Sequence, residues 1–380
     1  MSRALSVVDT SDPLACLLAL REALGGGPAV LFRGGGANPV FTAPLEVEQR
    51  VALVVETSGS TGSPKRVALS ADAVLASAAA ADGALGEPGQ WLLALPVHYI
   101  AGINVLARSI ASGSTPVVVP PGHMDASTVL TAIGSMTERV RYTALVPAQL
   151  LRLVDTAERA SAEGDRALQT AIGGFARILV GGQSTPAPLI DRALALGWRI
   201  TRTYGSSETC GGVVYDGLPI GQTAVRILDG RVELGGTTLA EYYLGDPART
   251  ERAFVEHDSQ RWYRTDDAGE VVDGVLRIIG RIDDTIVTGG LKVRLGDVER
   301  IVREQPDLTD AVVVAGPHPE WGEVPVVVTT ARPDLVALRR VVGAQLPPEA
   351  RPDRVLTVDA LPLLPSGKPD RLALTRRVAR

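Results

Sequence analysis

Thr57-Ser58-Gly59-Ser60-Thr61-Gly62-Ser63-Pro64-Lys65 is the stretch on which the interpretation of this chain turns. It follows the apolar run Val51 to Val55, which reads as a buried strand, and it comes ahead of the Ala-rich run Ala71 to Ala81, which reads as a helix. Glycines let a backbone come close to an anion, hydroxyls and amide N–H groups donate hydrogen bonds, and a lysine adds a point charge. Chemistry of that kind suits a polyphosphate. A Walker-type loop is the obvious rival, but that motif ends in Gly-Lys-Ser/Thr. Here Pro64 precedes Lys65 and Arg66 follows it, so the rival fails. A plain Ser/Gly linker leaves unexplained a proline-stiffened lysine just before a new helix.

Working outward, apolar strand-like runs alternate with helical ones. Trp91 to Leu95, Pro116 to Val119, Tyr142 to Val146, Arg177 to Val180 and Arg199 to Thr203 read as further strands. Ala101 to Ala111 and Ala187 to Leu196 read as helices between them. Such alternation implies sheets with helices packed on their faces, an α/β class. After about Gly211 short β-like runs (Val225 to Leu228, Arg231 to Leu234, Val271 to Val272, Val275 to Ile279) are separated by Gly and Asp-Gly turns, which predicts a β subdomain. Beyond Arg281 the pattern is again mixed: Val298 to Glu304 and Leu335 to Leu346 helical, Ala311 to Val314 and Val324 to Thr330 extended. The clusters Gly25-Gly26-Gly27 and Gly34-Gly35-Gly36 read as loops.

Composition narrows the function classes. The 380 residues are 45% hydrophobic and 21% charged, enough for one large core and a smaller domain. A net charge of −5 gives no reason to expect nucleic acid or an anionic membrane as the main partner. No apolar stretch reaches the ~18 residues of a membrane span. The opening MSRALSVVDTSDP is interrupted by acidic residues and Pro13, so neither a signal peptide nor an anchor is expected there. Cys16 and Cys210 lie far apart without metal-type spacing, and the histidines form no helix-face pair. A reducing, cytoplasmic enzyme without a structural metal is the expectation.

The Thr57–Lys65 segment resembles the phosphate loop of the adenylate-forming superfamily of acyl- and aryl-CoA ligases, adenylation domains and luciferases. Further segments match that family in the same order. Tyr204-Gly205-Ser206-Ser207-Glu208-Thr209 is similar to its Tyr-Gly-x-Thr/Ser-Glu motif, and Tyr263-Arg264-Thr265-Asp266-Asp267 to its Tyr-x-Thr-Gly-Asp motif. Gly280-Arg281-Ile282-Asp283-Asp284 resembles the Gly-Arg-x-Asp hinge, and Leu364-Pro365-Ser366-Gly367-Lys368 the C-terminal Pro-x-Gly-Lys loop. The fold so implied is a large α/β N-terminal domain of packed sheets and helices with a β subdomain, residues 1–281, and a small mobile α+β C-terminal domain, residues 282–380.

The resemblance implies ATP, Mg²⁺ and CoA as reactants, and it assigns roles. Thr57, Ser58, Gly59, Ser60, Thr61, Gly62 and Lys65 face the phosphates. Glu208 is the hard oxygen ligand for Mg²⁺, as concentrated phosphate charge requires. Tyr204 offers a flat face to adenine, with Gly205, Ser206, Ser207 and Thr209 beside it and Gly181-Gly182-Gln183 as the adenine-side loop. Asp267 accepts from the ribose hydroxyls with Arg281 near the same sugar; Asp266 stands where the family has glycine, and Asp267 fits the spacing better. Asp283 is the hinge, and Gly289, Gly290 and Lys292 belong to the loop on the CoA side, whereas Val287 replaces a polar or basic residue there. Attack of a carboxylate on the α-phosphate joins two anions, so a lysine on a mobile turn, Lys368, is the expected catalytic group.

Within the superfamily, Pro96–Gly102, Leu145–Arg152 and Arg202–Gly212, on a chain whose phosphate loop comes early, resemble the o-succinylbenzoate–CoA ligases of menaquinone biosynthesis. That resemblance implies an aromatic keto-diacid, one of whose carboxylates reacts while the other needs a partner, for which Arg152 or Arg202 is the candidate. His98 is expected to gate the acyl pocket and Gly211 to line it; Cys210 lacks a base and reads as a small neighbour. Another aryl or acyl ligase, or an adenylation enzyme that loads a carrier protein, remains the alternative, with a non-catalytic nucleotide binder behind it. Homodimerisation is a family expectation.

Overall fold

The apolar run at Val51 forms the strand Val51–Thr57, whose first five residues are all buried, as in a strand covered on both faces. It lies parallel to Ala29–Arg33 and antiparallel to Lys65–Ser70, with Thr57 opposite Lys65. This computed structural model describes residues 1–34, 45–57, 65–120, 124–364 and 368–379. They divide into two compact units, Met1–Gly182 with Ala193–Arg226 and Glu233–Thr265, and Gln183–Arg192 with Ile227–Val232 and Asp266–Arg380.

In the first unit a six-stranded sheet runs in the order Tyr242–Tyr243, Lys65–Ser70, Val51–Thr57, Ala29–Arg33, Ser2–Asp9, Glu46–Glu48. A seven-stranded sheet runs Leu218–Pro219, Gly211–Tyr215, Ile200–Ser206, Arg177–Val180, Arg141–Leu145, Gln90–Leu93, Val117–Val118. Its middle strands are parallel and its Gly211–Tyr215 strand antiparallel. Helices Pro13–Leu24, Ala71–Leu85 and Ile100–Ala111 contribute Leu20, Val74, Ile103 and Leu106 to one core shared with Leu53, Leu69 and Trp91 from the sheets. Asp12 caps the first of these helices, accepting from Leu14 N–H, with Pro13 in its opening turn.

One expectation is corrected here. The helix starts at Ala71 as expected, where Ser70 Oγ accepts from Ala73 N–H at 3.3 Å, but Lys65 does not stand just before it: Lys65–Ser70 is a strand. Val67 and Leu69 are buried and hydrogen-bonded to the neighbouring strand, so pairing claims residues that local pattern left between loop and helix. The loop is therefore a hairpin connection. Similarly, Val271–Val272 is the end of a 13-residue strand, Gln260–Val272, which carries the whole Tyr263–Asp267 motif.

A five-stranded sheet contains Ala224–Leu228, Arg231–Gly235, Gln260–Val272 and Phe254–His257 in that order, with Val275–Arg281 on Gln260–Val272. It is the β subdomain expected from the Asp-Gly turns. A further sheet, within the second unit, is ordered Leu291–Arg294, Thr285–Thr288, Gly322–Thr329, Val312–His318, with Arg354–Thr357 on Gly322–Thr329. Alternation splits its valines by face. Val313 and Val327 pack with Val298, Ile301 and Leu338 from helices Leu295–Arg303 and Leu335–Gly343. Val312, Val314 and Val326 pack with Leu374 of helix Arg371–Val378.

Candidate active site

The hairpin places Lys65 at its mouth opposite Thr57, while Ser58, Gly59, Ser60, Thr61 and Gly62 lie outside the described residues. Below the mouth, Glu56 is held by Arg33 at 3.0 Å and Arg66 at 2.9 Å. Burial pushes the Glu56 carboxyl up, but the two guanidinium groups outweigh it and hold it below its ordinary value. The Lys65 ammonium stands 5.9 Å from the ring centroid of Tyr243, at cation–π range. The Tyr243 hydroxyl in turn donates to Glu208 Oε1 at 2.7 Å. Glu208 sits on the 3₁₀ turn Ser207–Thr209, is only 6% exposed, and its carbonyl accepts from Ala240 N–H at 2.8 Å. Lys65 and Glu208 are thus joined through one tyrosine. Tyr243 escaped the sequence reading because its strand, Tyr242–Tyr243, is too short to show a period.

Next to Glu208 the chain makes a tight reversal. Strand Ile200–Ser206 pairs antiparallel with Gly211–Tyr215 through an irregularity at Tyr204/Gly205. A Cβ at Gly205 would run into the Gly211 carbonyl, so only glycine permits this approach. Thr209 Oγ1 accepts from Ser206 N–H at 2.9 Å and donates to the Gly211 carbonyl at 2.8 Å. Cys210 is left-handed, with φ of 54°, and its carbonyl accepts from both Ser77 Oγ and Asn104 Nδ2 at 2.9 Å. Burial pushes the Cys210 thiol up to about 12, which removes it as a nucleophile. Ser206 Oγ and Gln183 Nε2 are buried and have no partner among the described residues, polar atoms of the kind a bound ligand satisfies. Gly181 abuts Thr203, where a Cβ would clash, and Gly182 has φ of 81°.

His98 lies half-buried, its ring centroid 4.1 Å from that of Tyr99, and Gly34 approaches so closely that a Cβ there would come within 3.2 Å of the imidazole. Burial lowers its pKa, so the ring is neutral at pH 7, and its Nδ1 has no partner among the described residues. Gln149 stitches the neighbouring segment: its Nε2 donates to the Ala94 carbonyl at 2.8 Å and its Oε1 accepts from Val146 N–H at 3.1 Å. Arg152, on helix Pro147–Ala162, is exposed. Arg202 is exposed too and already pairs with Asp216 at 3.3 Å.

In the second unit Asp267 stands directly across from Arg281, 3.8 Å from its guanidinium. The Asp267 side chain is 20% exposed against 47% for Asp266, so Asp267 is the better shielded of the two. Asp283 chelates Arg281 at 2.7 and 2.6 Å. Gly289 and Gly290, with φ of 56° and 86°, turn the chain between Thr285–Thr288 and Leu291–Arg294, where Lys292 is exposed. Trp321, which sequence reasoning missed, lies over Gly289 and accepts its N–H at the Trp321 carbonyl, 2.9 Å away. Lys368 is exposed; its carbonyl accepts from Leu364 N–H at 2.7 Å, and Leu363 bridges Pro369, while Pro365, Ser366 and Gly367 lie outside the described residues.

The chain is an acid-activating ligase of the AMP-forming class, and it belongs to the AMP-binding enzyme family. The AMP-binding enzyme model matches residues 23–242, and the AMP-binding enzyme C-terminal domain model matches residues 297–368. Among individual proteins, the chain is 38% identical over 391 residues to the probable 2-succinylbenzoate–CoA ligase of Mycobacterium tuberculosis, covering 99% of this chain and 98% of that one. The amide bond synthetase McbA from Marinactinospora thermotolerans superposes with a TM-score of 0.74 at 25% identity, over 99% of this chain and 80% of that one. The o-succinylbenzoate CoA synthetase MenE from Bacillus subtilis, in complex with its acyl-adenylate intermediate OSB-AMP, shares the fold with a TM-score of 0.72 at 22% identity, over 97% and 82%.

Proposed function

We propose that this protein is an o-succinylbenzoate–CoA ligase. The single observation that carries the substrate is its similarity, over nearly the full length of both chains, to the mycobacterial protein. In the first half-reaction a carboxylate oxygen of the acid attacks the α-phosphorus of ATP, and pyrophosphate leaves with the electron pair. In the second, the CoA thiol loses its proton, its sulfur attacks the acyl carbonyl, and AMP departs.

Lys65 and the loop it closes neutralise the β- and γ-phosphates. Glu208 fits Mg²⁺: one oxygen is oriented by Tyr243, the other has no partner among the described residues, and Mg²⁺ commonly takes one carboxylate plus substrate phosphates. The ion would supply charge neutralisation at the phosphates. Ser206, whose Oγ has no partner among the described residues, is assigned to the adenine, as is Gln183; Asp267 holds the ribose, and neutral His98 lines the acyl pocket. Arg152 is favoured over Arg202 for the spare carboxylate, because Asp216 already occupies Arg202. Rotation about Asp283 exchanges the Lys368 face for the Gly289–Lys292 face between the half-reactions. No helix among the described residues is long and apolar enough to cross a membrane, and both ATP and CoA point to the cytoplasm.

The test is pyrophosphate release from ATP and Mg²⁺ with o-succinylbenzoate, benzoate or a medium-chain fatty acid, each with and without CoA. Release that depends on o-succinylbenzoate, with a thioester when CoA is present, is expected. Release with another acid keeps the ligase and discards this substrate. Adenylation without a thioester moves the acceptor to an amine or a carrier-bound thiol.

A further inference from the structure

Three residues beyond Lys368, the chain enters helix Arg371–Val378. Its first side chain makes more polar contacts than the lysine's position would suggest. Arg371 Nη2 donates to Glu299 Oε2 at 2.6 Å, Nη1 donates to the Val313 carbonyl at 2.8 Å, and Nη1 lies 4.0 Å from Asp284. Glu299 Oε2 also accepts from Val313 N–H at 2.9 Å. Val313 lies on the outer strand of its sheet, so arginine and glutamate together satisfy both polar groups of one edge residue. Glu299 is 11% exposed and also lies 3.7 Å from Arg303, and its helix packs on the sheet face opposite to that of Arg371. The pair therefore clasps the sheet edge from both sides. Asp284 directly follows the hinge residue Asp283, and its carbonyl accepts from Leu295 N–H at the start of the Glu299 helix.

We propose that Arg371 is the positioning residue of Lys368: through Glu299, Val313 and Asp284 it fixes the base of the lysine turn to the frame that begins at the hinge. This inference rests on Lys368 as the catalytic lysine of adenylation. Among the described residues, Leu364 N–H donates to the Lys368 carbonyl and Leu363 bridges Pro369. Asp370 continues the anchorage: its N–H donates to the Pro362 carbonyl, and its side chain accepts from Ala373 N–H at 2.9 Å. Lys368 is thus followed within three residues by the first turn of the helix, and Arg371 ties that turn to the sheet edge. A guanidinium fork is needed, because a lysine ammonium cannot reach a carboxylate, a carbonyl and a second carboxylate in one plane.

The experiment compares Arg371→Lys and Glu299→Gln in the full chain, measuring melting temperature, pyrophosphate release and thioester formation from a preformed acyl-adenylate. Each variant is expected to lower kcat for adenylation roughly 10- to 100-fold, the effect of a small misplacement of a catalytic group. The KM for the acid and thioester formation should stay within about two-fold in both variants. Equal loss in the two half-reactions, loss tracking the melting temperature, or unchanged adenylation overturns the proposal. If one variant fails to fold the other decides, and failure of both makes the pair purely structural and overturns it as well. Lys368→Ala serves as control: should it retain adenylation, the lysine assignment has failed, an outcome distinct from an inert Arg371.

Discussion

Tyr243 connects Lys65, proposed to face the phosphates, with Glu208, proposed to hold Mg²⁺. Its hydroxyl bond to Glu208 is buried and charge-assisted, worth about 1.5–3 kcal/mol. Tyr243→Phe should therefore lower adenylation roughly 10- to 100-fold and raise the Mg²⁺ concentration for half-maximal rate; titrating Mg²⁺ against pyrophosphate release checks this. Lys368→Ala should cost roughly 10²–10³ in adenylation, about 3–4 kcal/mol, as loss of a charge-stabilising donor does. Thioester formation from a preformed adenylate should be nearly spared, and stopped-flow on each half-reaction separates the two. His98 gives a pH signature. Its folded pKa is depressed by burial, so its contribution to stability is present above the unfolded value near ~6.5 and is lost as pH falls below it, until the folded pKa is passed. The melting temperature of wild type should fall more steeply than that of His98→Gln between about pH 6.5 and 5.

At the scale of elements, the reversal from Tyr204 to Gly212 depends on two helices remote in sequence, Ala71–Leu85 and Ile100–Ala111. Asn104 and Ser77 both donate to the Cys210 carbonyl and hold a left-handed residue next to Glu208 and Thr209. Asn104→Leu leaves that carbonyl with one donor and puts an apolar group against it, at a cost of about 1–3 kcal/mol. The same change should raise the KM for the acid, since Gly211 packs so tightly on the Asn104 amide that a Cβ there would clash. Urea denaturation and substrate titration measure the two effects. The motifs themselves were legible because chemistry forces residue types at fixed spacing, as at Lys65, Glu208, Asp267 and Lys368. The strand Lys65–Ser70 was not, since six residues with two leading cations show no decisive period, and only pairing with Val51–Thr57 makes them a strand. Gln149 was equally hidden: its role is a bond to Ala94, the residue just past strand Gln90–Leu93.

For the whole molecule, two chemical steps at one acyl carbonyl call for two arrangements of protein groups, and Asp283 is where the chain is expected to pivot. Its bidentate pair with Arg281 marks a joint that bonds can hold or release. Proline fixes φ near −65°, so Asp283→Pro should freeze one arrangement and impair one half-reaction at least ~10-fold more than the other. Pyrophosphate release and thioester formation, measured separately, check it, and equal impairment argues against a pivot at this residue.

The sequence by itself determined the α/β class, the order of the motifs and the kinds of group at each step, because hydrophobic period and charge chemistry are local properties. By motif spacing it favoured Asp267 over Asp266 as the ribose partner. Only the tertiary structure decided that Tyr243 lies between Lys65 and Glu208, that Asn104 and Ser77 hold the Cys210 turn, that Asp216 takes Arg202, and that Arg371 is bonded to Glu299 and Val313. Each of these joins residues far apart along the chain. Such contacts follow from which strands pair and which helices cover them, and where a polar group is buried, as Glu208 and Glu299 are, it takes a partner the fold supplies.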